Sequence, residues 1–265
     1  MNNNDLKNWK NLDVLTDSLW LFDKRDDSDF HSGDYHGNFI PQIPRQLMLR
    51  FTEENDVVLD TFCGSGTTLI EAKRLNRNAI GIEIQKKVIN KYLYRIKQTA
   101  LFNNCIQEII CGDSTDIETK NNVISILQKI KKDKVKLIIM HPPYWDIIKY
   151  SNLENDLSNA KSIDDFTQKF NNVIENFIDI LDENGHIAIV IGDKYQNSKW
   201  YPIGFYTMDA VQKRFENLIL KSIIIKNIND NRGKLNQNNI WKYRALKGGF
   251  YIFKHEYIFL FKKQN

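Results

Sequence analysis

Cysteine is scarce in this 265-residue chain, and the three present, Cys63, Cys105 and Cys111, fall into no CxxC or Cys/His spacing. That excludes a disulfide framework and a structural zinc site, and no metal is expected. No Pro-, Gly- or Ser-rich linker divides the sequence, so one domain over residues 1–265 is expected rather than two. Long apolar runs are also missing. The best candidate, 181–191, is broken by Asp182, Glu183, Asn184 and His186, which excludes a membrane span. Met1 is followed by an Asn/Asp/Lys stretch without an apolar core, so no secretory leader and a cytoplasmic location are expected. No internal repeat is present.

What remains is ordinary globular composition, 42% hydrophobic and 26% charged, which rules out wholesale disorder. The net charge of +4 conceals an asymmetry. Ten Lys/Arg stand against Asp230 and Glu256 from residue 221 onward, whereas residues 1–220 carry 27 basic and 31 acidic side chains. A basic end of this kind suits a polyanion, although a solvated basic tail would look the same by charge alone.

Strand and helix patterns alternate through the first two-thirds. Apolar runs at 57–59, 79–84, 109–111, 135–140 and 186–191 predict buried strands. Helical patterns cover 44–51, 68–75, 86–101, 123–130, 166–181 and 208–215, and 218–226 and 251–261 read as closing strands. This order implies an α/β fold, a mostly parallel doubly wound sheet with an antiparallel closing strand. Residues 1–40 are polar and irregular.

The first informative site is Asp60-Thr61-Phe62-Cys63-Gly64-Ser65-Gly66-Thr67-Thr68, directly after a strand. A strand ending in Asp, a turn with alternate glycines and a helix start form a ligand bend at the carboxyl edge of a parallel sheet. No Lys follows Gly66, so it is not a phosphate loop. Leu69 stands where a nicotinamide fingerprint wants a third glycine. Glu83 and Asp113 end the next two strands. Either carboxylate alone could be a helix cap, but in series they suit a ribose diol and an adenine amine. The fourth strand runs into His141-Pro142-Pro143-Tyr144.

The bend strongly resembles the S-adenosylmethionine loop of amino-methylating DNA methyltransferases, whose pattern is D-x-F-x-G-S-G-T-T. The run from His36 through Asn38 and Phe39 to Pro44 is similar to that family's other cofactor segment, and 141–144 to its x-P-P-Y motif. The resemblance covers most of residues 34–263 and implies a Rossmann-like class I methyltransferase fold. It also implies S-adenosylmethionine as cofactor, held by His36, Asn38, Phe39, Asp60, Phe62, Gly64, Gly66, Thr67, Glu83 and Asp113. The catalytic group it implies is His141, Pro142, Pro143 and Tyr144. An exocyclic base amine is a poor nucleophile because its lone pair is delocalised into the ring. Two acceptors aimed at its N–H groups, the first side chain of the motif and the Pro142 carbonyl, free that pair for attack on the methyl. The Tyr144 ring would stack on a base turned out of the duplex. The family normally has Asp, Asn or Ser where this chain has His141. A neutral imidazole can also accept, so turnover should fall as histidine protonates, through about pH 5–8. The histidine leaves adenine N6 and cytosine N4 equally open.

DNA is the expected partner. Lys149 and Lys194 follow the fourth and fifth strands, beside Trp200. The stretch 226–250 carries Arg232, Lys234, Lys242, Arg244 and Lys247 among Asn, Gln, Trp241 and Tyr243. Cations supply phosphate affinity, and Arg, Asn and Gln carry groups that read base edges. With no separate recognition domain visible, specificity is expected from these loops or from a partner chain, and a restriction endonuclease is a further candidate partner. Two alternatives stay open: methylation of an RNA base amine, and a nucleic-acid-binding protein that keeps cofactor but has lost catalysis.

Overall fold

In the computed structural model, which describes residue 7 and residues 9–28, 30–31, 33–35, 37–98, 104–228 and 238–264, the alternating pattern closes into one eight-stranded sheet. The strands are β1 (Leu19–Trp20), β2 (Val57–Asp60), β3 (Asn78–Glu83), β4 (Gln107–Cys111), β5 (Val135–Met140), β6 (Leu181–Ile191), β9 (Leu218–Asn227) and β10 (His255–Lys263). A separate antiparallel hairpin is formed by β7 (Lys194–Gln196) and β8 (Lys199–Tyr201). The helices are α1 (Gln42–Phe51), α2 (Thr67–Arg74), α3 (Lys86–Gln98), α4 (Ile117–Lys129), α5 (Ile163–Phe177), α6 (Ile203–Arg214) and α7 (Asn238–Gly248).

The order across the sheet is β1-β9-β10-β6-β5-β2-β3-β4. Strand β10 runs antiparallel to both neighbours, and every other pair is parallel. The antiparallel strand is thus an interior one: it fills the gap between β6 and β9 instead of closing an edge.

Burial on both faces explains why the strands read as continuous apolar runs. Val57 and Leu59 face a core with Phe166, Phe170 and Phe177 of α5, while Val58 between them faces a second core with Leu47 of α1 and Leu69 of α2. The period of two sorts β5 the same way, Ile138 and Met140 to one side, Leu137 and Ile139 to the other. Asp116 caps α4 by accepting the Glu118 N–H, and Ser162 caps α5 through the Asp165 N–H.

Several boundaries differ from expectation. Helix α1 begins at Gln42 because Pro41 takes the capping position, and Pro44 falls in the first turn, where a missing N–H costs nothing. Strand β10 begins at His255, not at residue 251, and β6 begins at Leu181. The larger difference is at the N-terminus. Trp20 is buried and β1 pairs with the far end of β9, Leu19 opposite Ile225. The Asn227 side chain then continues that pairing by accepting the Phe22 N–H at 2.8 Å and donating to the Phe22 carbonyl at 2.9 Å. Further along, Arg74 joins Asp26 of this segment to Glu71, which also meets His31 at 2.6 Å with both side chains fully buried. The segment is therefore a strap pinned at the sheet edge and again at α2. Asn227→Ala would remove both of these side-chain bonds to the Phe22 backbone. We expect a loss of about 1–3 kcal/mol in denaturant unfolding, with faster proteolysis within residues 9–28.

Candidate active site

The carboxyl ends of β2, β3, β4 and β5, the end of β9 and the start of β10 all meet at one edge, around a cavity of about 710 Å³. Gly64, Glu83, Asp113 and the corner His141–Tyr144 line it together, with Asn38 and Phe39 arriving from the strap. The expected cofactor and catalytic groups thus share one space. His36, Arg232 and Lys234 lie outside the described residues.

The bend is built from its backbone outward. Gly66 caps α2 at φ +83°, and Gly64 sits at φ +53°. A Cβ on Gly64 would also stand 2.8 Å from the Tyr35 ring, so glycine is required there twice over. Gly66 itself shapes the turn from behind and is not part of the cavity wall. Asp60 is buried, its two oxygens taken by the Phe62 N–H at 3.0 Å and the Thr68 hydroxyl. Burial outweighs these bonds and lifts its carboxyl to about 6. Its first task is to hold the bend's shape. Thr67 donates to Asn38 Oδ1 at 2.6 Å, which ties the strap to the bend, and Arg25 donates to the Phe39 carbonyl at 2.9 Å within the strap. Phe62 stacks towards Phe170 of the core, centroids 6.5 Å apart.

Glu83 accepts the Gly64 N–H at 3.0 Å and the Gln85 N–H at 2.8 Å, one on each oxygen. Burial raises its carboxyl despite these bonds. Asp113 Oδ1 accepts from the Thr115 N–H and hydroxyl, both at 2.8 Å. Each Glu83 oxygen keeps a second lone pair and Asp113 keeps its Oδ2, so neither residue is used up by its structural bonds.

The corner after β5 is strained and braced. Trp145 adopts φ +53°, uncommon for a bulky residue, as its N–H turns back to the Pro143 carbonyl at 2.9 Å. Its indole donates to the Ala160 carbonyl at 2.9 Å, and Lys194 lies over the ring, 4.3 Å from the centroid. Lys194 is buried and ion-paired with Asp146. The expectation that Lys194 meets phosphate is therefore corrected: its charge is spent inside the protein, holding the corner. Trp200 likewise points inward, donating to Asp193 at 2.9 Å.

Tyr144 donates its hydroxyl to Glu256 at 2.8 Å, and His141 Nε2 lies 3.1 Å from the same oxygen. Glu256 pairs with Lys226 at 2.9 Å. Sequence reasoning missed Lys226 and Glu256 as site residues. The available signal was one charge of each sign at the cavity ends of two strands whose central residues are mostly apolar. His141 packs on Phe39 with centroids 4.9 Å apart. Burial lowers its imidazole to about 4, Glu256 opposing and Lys226 adding to the shift.

Among the basic residues expected to meet nucleic acid, Lys149, Lys242, Arg244 and Lys247 are exposed, and Trp241 is half-buried with Arg244 over its ring. The last four lie on α7, which carries no acidic residue and falls in the sequence between Ile228 and Glu256, both of which line the cavity. Among the described residues, no three His, Cys, Asp or Glu side chains gather as a metal site, and no helix is long and apolar enough to cross a membrane.

A family model for DNA methylases matches residues 1–94 and 135–265. The chain belongs to the DNA methylase family. Two type II methyltransferases of Methanocaldococcus jannaschii resemble this chain over short stretches. M.MjaII is 42% identical over 50 residues, 19% of this chain and 9% of its own length, and M.MjaI is 47% identical over 51 residues, 19% and 17%. A tRNA (guanine(10)-N2)-dimethyltransferase of the same organism is 24% identical over 161 residues, 60% of this chain and 39% of that one. The matches thus span well under half of each relative. A methyltransferase from Pyrococcus furiosus superposes with TM-score 0.50 at 13% identity, over 89% of this chain and 88% of the other. YjhP from E. coli gives 0.52 at 10% identity, over 89% and 97%. These two bear out the Rossmann-like methyltransferase fold.

The histidine shift moves the pH window below the range expected from sequence. The folded imidazole stays neutral down to about pH 4, so the fold loses stability as pH drops from the ordinary histidine value of 6.5 towards 4. An NMR titration of His141, assigned by the signal missing in His141→Gln, should give a midpoint near 4. A midpoint near 6.5 would contradict the burial described.

Proposed function

We propose that this chain transfers a methyl group from S-adenosylmethionine to the exocyclic amine of a base, adenine N6 or cytosine N4, turned out of duplex DNA. The observation that carries this reading is the single cavity shared by the glycine bend, two strand-end carboxylates and the proline corner. Its volume lies within the range of about 300–1,000 Å³ usual for ligand pockets.

The residues fit the cofactor. Glu83 keeps lone pairs for the ribose hydroxyls, Asp113 for the adenine amine, and the Gly64 backbone permits close approach. Buried carboxylates at Asp60 and Glu83, raised by burial and without a cationic partner at hydrogen-bond distance among the described residues, favour a positively charged ligand nearby. When bound, S-adenosylmethionine supplies an electrophilic methyl on a sulfonium. The protein then positions the amine: the Pro142 carbonyl and a neutral His141 nitrogen accept its two N–H bonds, and Tyr144 and Phe39 bound the space for the base. Helix α7 with Lys242, Arg244 and Lys247, and Lys149 on the other side of the corner, offer phosphate contacts at the rim. A restriction endonuclease or a specificity chain is the protein partner this reading admits.

The 161-residue likeness to a tRNA base-amine methyltransferase supports a second reading, with an RNA amine as acceptor. Incubation with tritiated S-adenosylmethionine and either duplex DNA or total tRNA separates the two, followed by nucleoside analysis. Label in DNA as N6-methyladenine or N4-methylcytosine, lost in Tyr144→Ala, is the expected result. Label in tRNA alone transfers the reading to RNA, and label in neither overturns both. On DNA, Lys242→Met and Arg244→Met should each lower the salt slope of binding by about 1, whereas Lys194→Met should leave it unchanged.

A further inference from the structure

Strands β9 and β10 each bring one buried charge to the cavity. Lys226 and Glu256 stand opposite each other in the antiparallel register, 5% and 6% exposed, with Nζ 2.9 Å from Oε1. The other carboxylate oxygen accepts the Tyr144 hydroxyl at 2.8 Å, and that hydroxyl is 3.1 Å from His141 Nε2. A buried ion pair is a poor way to stabilise a sheet, because desolvation offsets most of the attraction. Apolar residues would serve these two strands as well, so the pair's place at the cavity calls for another account.

The direction of each hydrogen bond follows from the charges. Burial would raise the Glu256 carboxyl, but Lys226, His141 and the hydrogen bonds from Lys226 and Tyr144 hold it below the ordinary glutamate value. An ionised carboxylate has no proton to give, so Tyr144 must donate to it. With its only proton committed, the phenol oxygen can receive but not give a second bond, and Nε2 of His141 must carry the imidazole proton. Nδ1 is then the lone-pair nitrogen, and it makes no hydrogen bond among the described residues.

We propose that the Lys226–Glu256 pair, acting through the Tyr144 hydroxyl, fixes His141 as its Nε2–H tautomer and so presents Nδ1 as the acceptor for the target amine. The proposal rests on the methyl-transfer reading and assigns Lys226 and Glu256 as positioning residues. In the transfer, the amine lone pair forms the new N–C bond and the C–S bond breaks with its electron pair left on sulfur. The proton released by the amine passes to Nδ1. The imidazolium formed keeps its Nε2–H on Tyr144, within reach of the negative charge on Glu256. Lys226 neutralises that charge beforehand, which keeps His141 from protonating before turnover. The charged and titratable groups that bear on this chain are few. Glu256 comes from β10, Lys226 from β9 and Tyr144 from the corner, with Asp193 and Tyr150 acting on Tyr144. From the strap, Phe39 meets the imidazole and Arg25 reaches the cavity beside it.

The test uses the full chain with ¹⁵N-labelled histidine and reads the His141 tautomer directly, beside the pH profile of kcat on the substrate that takes label. Wild type should show the Nε2–H form alone, and Tyr144→Phe a mixture, with kcat down on the order of tenfold and cofactor affinity by calorimetry unchanged. Glu256→Gln removes the charge that favours the imidazolium, so the acid limb should move to lower pH. Lys226→Met leaves that charge uncompensated, so the limb should move up. Opposite shifts are a signature that loss of packing does not produce. A second cycle guards against misfolded singles: adding Glu256→Gln to Tyr144→Phe should leave the tautomer mixture of the single variant unchanged. An Nδ1–H tautomer in wild type, or limbs that stay put or shift together, overturns the proposal while leaving methyl transfer intact. Absence of transfer by wild type with the Nε2–H form present sinks the methyl-transfer reading instead.

Discussion

Because β2 pairs in parallel with β5, Asp60 opposite Ile139, the glycine bend and the proline corner leave the sheet side by side and in the same direction. The Thr61 N–H carries the pairing one step further, to the Ile139 carbonyl at 3.3 Å. Two-sided burial fixes the register, since a slip of one residue would turn Val58 and Leu137 out of one core and into the other. The proximity of the glycine bend and the proline corner is thus a consequence of how two apolar strands sort their side chains. The loops inherit their position.

Three of the buried carboxylates that line this cavity are treated differently, and the difference divides it. Asp60 and Glu83 are met by N–H groups and a hydroxyl, so burial dominates and their carboxyls rise. Glu256 is met by an ammonium, and its carboxyl falls. Among the described residues the two bend-side carboxyls therefore have no ion-paired cation, while Glu256 on the corner side is neutralised by Lys226. A cation is favoured at the first and a neutral, hydrogen-bonding group at the second, the division that a sulfonium and a base amine require.

The sequence made legible what depends on neighbours along the chain. Strand runs, alternate glycines, strand-end carboxylates and the paired prolines announced themselves within a dozen residues, and the cavity joins them as expected. Features made by distant partners stayed hidden. The two-residue β1 exists because Trp20 is buried and Asn227, 205 residues beyond Phe22, completes its pairing. Lys194 looked like a phosphate contact because it follows a strand and precedes aromatics. Its true partners, Asp146 and the Trp145 ring, come from a loop 48 residues earlier, and no local pattern distinguishes a lysine folded inward from one left in water. Lys226 and Glu256 were readable only as an anomaly, charges of opposite sign at the cavity ends of strands whose central residues are mostly apolar.

That anomaly also gives a physical sense to the histidine at the head of the corner motif. A carboxylate at position 141 would share its buried space with Glu256 through the Tyr144 hydroxyl, and two such groups cannot both stay ionised without raising one of them strongly. An imidazole supplies a lone pair with no charge of its own, and burial keeps it neutral. In the proposed transfer, a positive charge formed on it would be matched by Glu256 instead of being opposed. A neutral acceptor beside a compensated carboxylate is therefore a self-consistent arrangement, in which the residue at 141 and the pair on β9 and β10 each make sense only in the presence of the other.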